Sequence, residues 1–304
     1  MTKIRSGNVA GIFFSESSIR YAVVNHSDGS KLERLGSCDF ELNLLDELRR
    51  GIKPDTESTL TEAVSDVLGD ADAQVVCVGI HPSICRTFFT LTNAAATDSE
   101  TAEQFKSESQ LLFGSDVEFL SVSSELHHVI AEGTDVRQNW HMVTLVPSTV
   151  KEPIDRILKS ICRAEPTYMS SIEASKRLIR EGLSTNGARN DFTVLVGQYS
   201  GIVEMTVLSD GNIINGQTVT PENGADYLYW LVVLATRLDI SLSSISRVFY
   251  YGDALDPVMF DDIEHATHAE IVRLDPFRLV DINVGSLRRD FDATYYSSCL
   301  GMVF

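Results

Sequence analysis

Two segments about 180 residues apart share a shape and lack the same residue. The first runs Gly11-Ile12-Phe13-Phe14-Ser15-Glu16-Ser17-Ser18-Ile19-Arg20, and the second Val194-Leu195-Val196-Gly197-Gln198-Tyr199-Ser200-Gly201-Ile202-Val203. Each reads as a buried strand, a tight turn rich in small residues, and a returning strand. A turn of this kind can aim several backbone N–H groups at one spot and hold a phosphate. Nucleotide turnover there also needs a carboxylate at the end of each first strand, to position the metal, its waters and the attacking water. Those two positions hold Phe13 and Leu195. Glu16 adds a negative charge where a phosphate would sit, and it would repel one. Two carboxylates remain that could serve a metal from an unusual position, Asp253 (after Gly252) and Glu204.

The elements that must carry these turns follow from periodicity. Val9 to Val24 reads as the first hairpin, with a third strand from Leu35 to Phe40. A helix is expected from Thr56, with Leu60, Ala63, Val64, Val67 and Leu68 at helical spacing. Val75 to Ile80 is a continuous apolar run, as in a strand covered on both faces. Cys85 to Leu91 is another strand, and Asp98 or Ser99 is expected to cap a helix that ends at Gly114. Val117 to Val129 and Trp140 to Val146 read as strands, Pro153 to Ala164 as a helix, and Pro166 to Ile172 as a strand. The theme then repeats. A helix covers Ala174 to Arg180, and a flexible loop Ser184 to Asn190. Strands Phe192–Val196, Gly201–Leu208 and Ile213–Val219 form a meander, followed by a helix from Ala225 to Leu238. Strands at Val248–Tyr251 and Ala269–Leu274 and a closing helix from Asp292 to Phe304 complete it. The pattern predicts a duplicated α/β unit, residues 1–165 and 166–304, with an insertion at about 92–140.

Composition narrows the function. The chain has 304 residues and a net charge of −18, which opposes binding to nucleic acid or anionic lipid. No apolar run is long enough to span a bilayer, and Met1 to Arg5 lead straight into a strand without a signal-peptide core. A cytoplasmic protein is expected. Its five cysteines (Cys38, Cys77, Cys85, Cys162 and Cys299) are scattered, without a C-x-x-C pair, and suggest neither a disulfide framework nor a zinc site. Asp261, Asp262, Glu264, His265, His268 and Glu270 form an acidic cluster with two histidines three apart. Without a third ligand of defined spacing, a solvated helix is the better reading than zinc. His127 and His128 are adjacent in a strand pattern and point to opposite faces.

Taken together, the two hairpins, the duplicated unit and the strand ending in Gly252 resemble the actin-like ATPase fold. Within it, the chain is most similar to the PilM-like proteins of type IV pilus assembly, and more distantly to FtsA. Gly11 to Arg20 resembles the family's first phosphate loop. Val78-Gly79-Ile80-His81-Pro82-Ser83, with the strand that follows, looks like its strand and Pro-Ser turn. The helix carrying Glu103, Phe105, Glu108 and Leu112 resembles the passage into the inserted 1C subdomain. Gly301 resembles a position in the family's last helix. In that alignment the family's two aspartates match Phe13 and Leu195, its following glycine matches Ser15, and Gly252-Asp253 matches the adenosine loop. Gln198 and Tyr199 replace smaller residues.

The resemblance implies a degenerate nucleotide site made of Phe13, Ser15, Glu16, Ser17, Ser18, Leu195, Gly197, Tyr199, Ser200, Gly252 and Asp253. It implies a pseudo-ATPase without a required cofactor, ATP being the one ligand the fold would admit. It further implies a scaffold at the inner face of the inner membrane that binds the cytoplasmic N-terminal tail of a PilN-like protein between subdomains 1A and 1C. Phe88, Phe105, Leu111, Leu112 and Phe113 are the candidates for that groove. Self-association stays open. The rival readings are a nucleotide-binding ATPase or kinase of the same fold, the cytoplasmic domain of a GspL-like secretion protein, and an FtsA-like polymer. The chain's end at Phe304, in a core-like helix, favours the PilM type over the last two.

Overall fold

The computed structural model describes residues 7–69, 71–114, 119–130, 137–182, 192–223, 225–253, 255–282 and 292–304. Two five-stranded sheets have the same order. In the first, β1 (Asn8–Phe14), β2 (Ser18–Asn25) and β3 (Lys31–Asp39) form an antiparallel meander. Parallel strands β4 (Val75–Ile80) and β8 (Pro166–Tyr168) extend it, giving the order β3-β2-β1-β4-β8. In the second, β9 (Phe192–Tyr199), β10 (Ile202–Ser209) and β11 (Asn212–Val219) form the meander. Strands β12 (Ile245–Gly252) and β13 (Glu270–Arg273) extend it in parallel, giving β11-β10-β9-β12-β13. The expected duplication is therefore present strand for strand. A third sheet, with β7 (Arg137–Pro147) between β5 (Arg86–Asn93) and β6 (Phe119–Ile130), lies between β4 and β8 in the chain.

The helices fill three layers. On the outer face of the first sheet lie α1 (Leu44–Arg50), α2 (Pro54–Leu68) and α4 (Ser148–Ile161), which bury Ala10, Ile12 and Phe14 of β1. The outer face of the second sheet is covered by α6 (Ala225–Arg237) and α7 (Asp261–Thr267), which bury Val194 and Val196 of β9. Between the sheets run α5 (Ser171–Gly182) and α8 (Ser297–Val303), packed on the opposite faces of β1 and β9. A Cβ on Gly301 would sit 2.1 Å from the Ala174 carbonyl oxygen, so α8 passes α5 at a separation that only glycine allows. Alternation along β1 thus sends Phe13 to the shared layer and Phe14 to the outer one.

Several expectations move. Helix α1 falls where no element was expected. It is a two-turn piece started by the Asn43 side chain, which accepts from the Asp46 N–H. Thr97, rather than Asp98 or Ser99, caps α3 (Asp98–Phe113), in a capping box with Glu100. Helix α4 begins at Ser148, five residues before Pro153. The strand expected over Pro166–Ile172 keeps only its first three residues, because α5 already starts at Ser171. It pairs with β4 and so belongs to the first sheet, although it follows residue 165. The closing helix is confined to 297–303, with a 3₁₀ turn over Ala293–Tyr296 before it. The loop at Ser184–Asn190 lies outside the described residues, as do the side chains of His127 and His128.

Candidate functional site

The first turn is tied to itself. The Ser15 N–H donates to the Ser18 carbonyl at 2.8 Å, and the Ser18 N–H donates to Ser15 Oγ at 3.2 Å. Two amides that a phosphate would use are thereby spent inside the turn. The turn's carbonyls are spent as well: Glu16 O accepts from the Leu44 N–H at 2.6 Å, and Ser17 O from Phe40 at 2.7 Å. Glu16 sits near Asp253 and Asp46, and its pKa is raised, first by burial and then by those two charges. The Glu16 carboxylate itself would repel an anion at this turn.

Between the two hairpins, aromatic rings fill the space. Phe13 and Leu195 are fully buried in the layer shared by the two sheets, together with Tyr199 and Tyr251. Phe13 stacks near Tyr199, with centroids 6.3 Å apart. His81 meets Tyr199 edge-on at 4.9 Å, and Tyr199 meets Tyr251 edge-on at 6.3 Å. A Cβ on Gly79 or Gly197 would lie 2.8 Å from the Phe13 or Tyr251 ring, so the smallest residues of both strands are covered by aromatics. His81 is buried, its Nδ1 accepting from the Ser83 N–H at 3.2 Å. Burial pushes its pKa down to about 4, outweighing the Asp253 charge that pulls it up, so the ring is neutral at physiological pH.

The end of β12 at Gly252-Asp253 is closed in a different way. Gly252 has φ +119°, and a Cβ there would lie 2.0 Å from the Gln198 carbonyl oxygen. The Gln198 side chain is buried and double-tied: Nε2 donates to the Tyr227 hydroxyl at 2.9 Å, and Oε1 accepts from the Asp256 N–H at 3.1 Å. Asp253, one of the two spare carboxylates, pairs with Arg20 of the first hairpin at 3.1 Å, both side chains about 15% exposed. The Arg20 guanidinium also lies over the Tyr295 ring at 5.3 Å. This ion pair straps one half of the molecule to the other. Ser200 sits in the exposed two-residue turn Ser200-Gly201 and touches none of this.

Glu204, the other spare carboxylate, lies opposite Gly197 in the β9–β10 ladder and is 3% exposed. Its Oε2 accepts from Ser171 Oγ at 2.6 Å. The Tyr199 and Tyr251 hydroxyls lie beside the carboxyl without completing a hydrogen bond of good geometry. Burial dominates and raises the Glu204 pKa to about 7. The same carboxyl lines a small cavity of about 20 Å³. Val78 and Ile80 of β4, Thr87 of β5, Thr144 and Val146 of β7, and the Tyr168–Ser171 turn wall that cavity. It opens between the first sheet and the small third sheet, past the half-buried Cys85, Thr87 and Tyr168. Tyr168 is fixed there by Asp155 (2.7 Å to Oδ1), which in turn holds Lys151 at 2.6 Å.

The residues expected to line a partner groove divide. Phe88 and Phe105 are buried with Val143 and Leu145 in the core of the small lobe, under α3. Leu111, Leu112 and Phe113 are exposed at the end of that helix, at 86%, 59% and 38%. None of the five lines the cavity, and the residues that do were missed. Thr87, Thr144 and Ser171 are small polar residues with no periodic signature. In the sequence, Glu204 reads only as a possible metal ligand. His265 bonds the Asp261 carbonyl within α7, and among the described residues no group of three or more His, Cys, Asp or Glu could hold a metal ion. No helix among the described residues is long and apolar enough to cross a membrane.

No protein-family model matches the chain, and no curated protein matches its sequence. Its architecture does match. A PilM–PilN type IV pilus biogenesis complex superposes over 97% of both chains with a TM-score of 0.71, at 13% identity. A protein of actin-like ATPase fold and unknown function from Bacteroides thetaiotaomicron superposes over 94% of this chain and 97% of that one, with a TM-score of 0.55 and 12% identity. The cytoplasmic domain of EpsL, an inner-membrane component of the type II secretion system of Vibrio cholerae, reaches 0.44 at 12% identity, over 82% of this chain and 84% of that one. The fold is the actin-like ATPase fold, in its PilM-like form.

Proposed function

We propose that this chain is a non-catalytic, actin-like adaptor of a type IV pilus-like or secretion machine, working on the cytoplasmic side of the inner membrane and holding the cytoplasmic tail of a PilN-like partner. The observation that carries the first part is the filled cleft. Phe13, His81, Tyr199 and Tyr251 occupy the space a nucleotide and its metal would need, and Arg20 neutralises Asp253. Opening that space would expose several buried rings, each worth roughly 1.5–3 kcal/mol of burial. Without a free carboxylate on either first strand, metal positioning for in-line water attack has no support.

The second part rests on the likeness to a complex of PilM with PilN and on the cavity between the first sheet and the small one. An extended tail lying there would bury apolar side chains against Val78, Ile80 and Val146. Two titrations test the reading. Calorimetry with Mg-ATP is expected to give no binding heat into the millimolar range; micromolar binding would restore the nucleotide-binding ATPase or kinase. Fluorescence anisotropy with a labelled cytoplasmic tail of a PilN-type protein from the same cell is expected to show binding. Thr87→Trp, which plugs the cavity, should abolish it. Undiminished binding by that variant would remove the cavity from the account.

A further inference from the structure

We propose that the cavity lined by Glu204 is a lysine-receiving site: the ammonium of a lysine side chain on an extended partner segment sits against the Glu204 carboxylate, its methylenes between the apolar walls. This rests on the partner-binding reading above and names what the partner must bring. Glu204 is a buried acid lining a cavity, with one well-formed hydrogen bond, from Ser171, and the Tyr199 and Tyr251 hydroxyls beside it. A buried carboxylate with so little compensation is costly unless a cation or donors complete its shell. The walls decide the rest. Val78, Ile80, Val146 and Met169 suit a hydrocarbon stem, while Ser170 and Ser171 stand near the acid.

The cavity of about 20 Å³ holds about one water, so an unbranched chain is the side chain that asks least widening of its walls. The groups facing Glu204 are Ser171, Tyr199, Tyr251 and Cys85, and none carries a positive charge. A lysine would be the one full counter-charge. The β9–β10 hairpin would then have exchanged an anion-binding role on its turn for a cation-binding role on its return strand.

The test uses the full chain, labelled with ¹³C at its methionine methyls, and three probes at pH 8: n-butylammonium, n-butanol and butyrate. The Met169 methyl in the cavity wall reports binding. Butylammonium is expected to shift it saturably, butanol to bind at least about tenfold more weakly, and butyrate not at all. Glu204→Gln should reduce butylammonium to the level of butanol while the melting curve stays cooperative. N-acetyl-lysine methylamide should compete, and leucine methylamide, whose amine is on the α-carbon, should not. Equal binding of butanol and butylammonium, no effect of Glu204→Gln, competition by the α-amine alone, or no saturable shift with any probe would each overturn the lysine site. A chain that takes butylammonium but binds a PilN-type tail regardless of Thr87→Trp would keep the lysine site and lose the partner reading.

Discussion

The two hairpins occupy equivalent places in two sheets of identical strand order, yet they are filled in opposite ways. The first has closed on itself. Its serines bond one another, its carbonyls anchor α1 and the end of β3, and Phe13 fills the space in front. The second keeps a minimal Ser200-Gly201 turn but fills its strands with Tyr199 and Glu204, and Tyr251 of the neighbouring strand covers Gly197. One side is apolar and self-satisfied. The other buries an acid and two phenol hydroxyls short of full hydrogen bonding. Duplicated scaffolds preserve backbone geometry because packing enforces it, while the side chains between them can differ as long as they pack. Where the filling is polar and incompletely satisfied, a ligand can still be accommodated.

The largest effect should come from the apolar side. Phe13→Ala removes a fully buried ring wedged between two sheets, and a loss of about 3–5 kcal/mol is expected in chemical denaturation. A loss under 1 kcal/mol would mean that the cleft collapses or fills with water, and that the rings are not what closes it.

Next come the two buried titratable groups, whose pH signs oppose. Glu204 has a folded pKa raised to about 7, so its contribution is fully present below about 4.5 and is lost as pH rises through 7. His81 is lowered to about 4, so its contribution is present above about 6.5 and is lost as pH falls through 4. Each amounts to about 3 kcal/mol across its window. Melting temperatures from pH 4.5 to 7 should rise more steeply with pH in Glu204→Gln than in the natural chain, and less steeply in His81→Asn. Parallel curves for all three proteins would show that neither group is buried as described.

The strap between the halves is smaller. A double-mutant cycle of Arg20→Gln and Asp253→Asn should give a coupling of about 1 kcal/mol, since both side chains keep some solvent contact. Additivity would reduce the strap to a surface contact. Smallest of all, Tyr199→Phe should change stability by less than about 0.5 kcal/mol, or raise it, because the hydroxyl it removes has no well-formed partner. A clear loss would mean that the hydroxyl does hold Glu204.

Much of this was legible in the sequence. Val75–Ile80 announced a doubly covered parallel strand by its unbroken apolar run. The turns at 15–18 and 200–201 were marked by small residues, and the missing carboxylates were visible as Phe13 and Leu195. Local chemistry and period 2 are properties of neighbours in the chain, so a single sequence carries them. Helix α1 escaped because two turns offer too little periodicity, and strand β8 was read too long because its apolar positions continue to Ile172, in the first turn of α5.

The sequence by itself thus determined a duplicated fold with apolar residues, Phe13 and Leu195, on its two first strands. Only the tertiary structure decided what fills the space between the two hairpins. The meetings of Phe13 with Tyr199, Arg20 with Asp253, and Ser171 with Glu204 join residues 33 to 233 positions apart. Such pairings depend on how α5 and α8 hold the two sheets together, and no local propensity encodes them. The same reason hid the cavity: its walls come from five separate stretches of chain, each an ordinary strand or turn until the sheets bring them face to face.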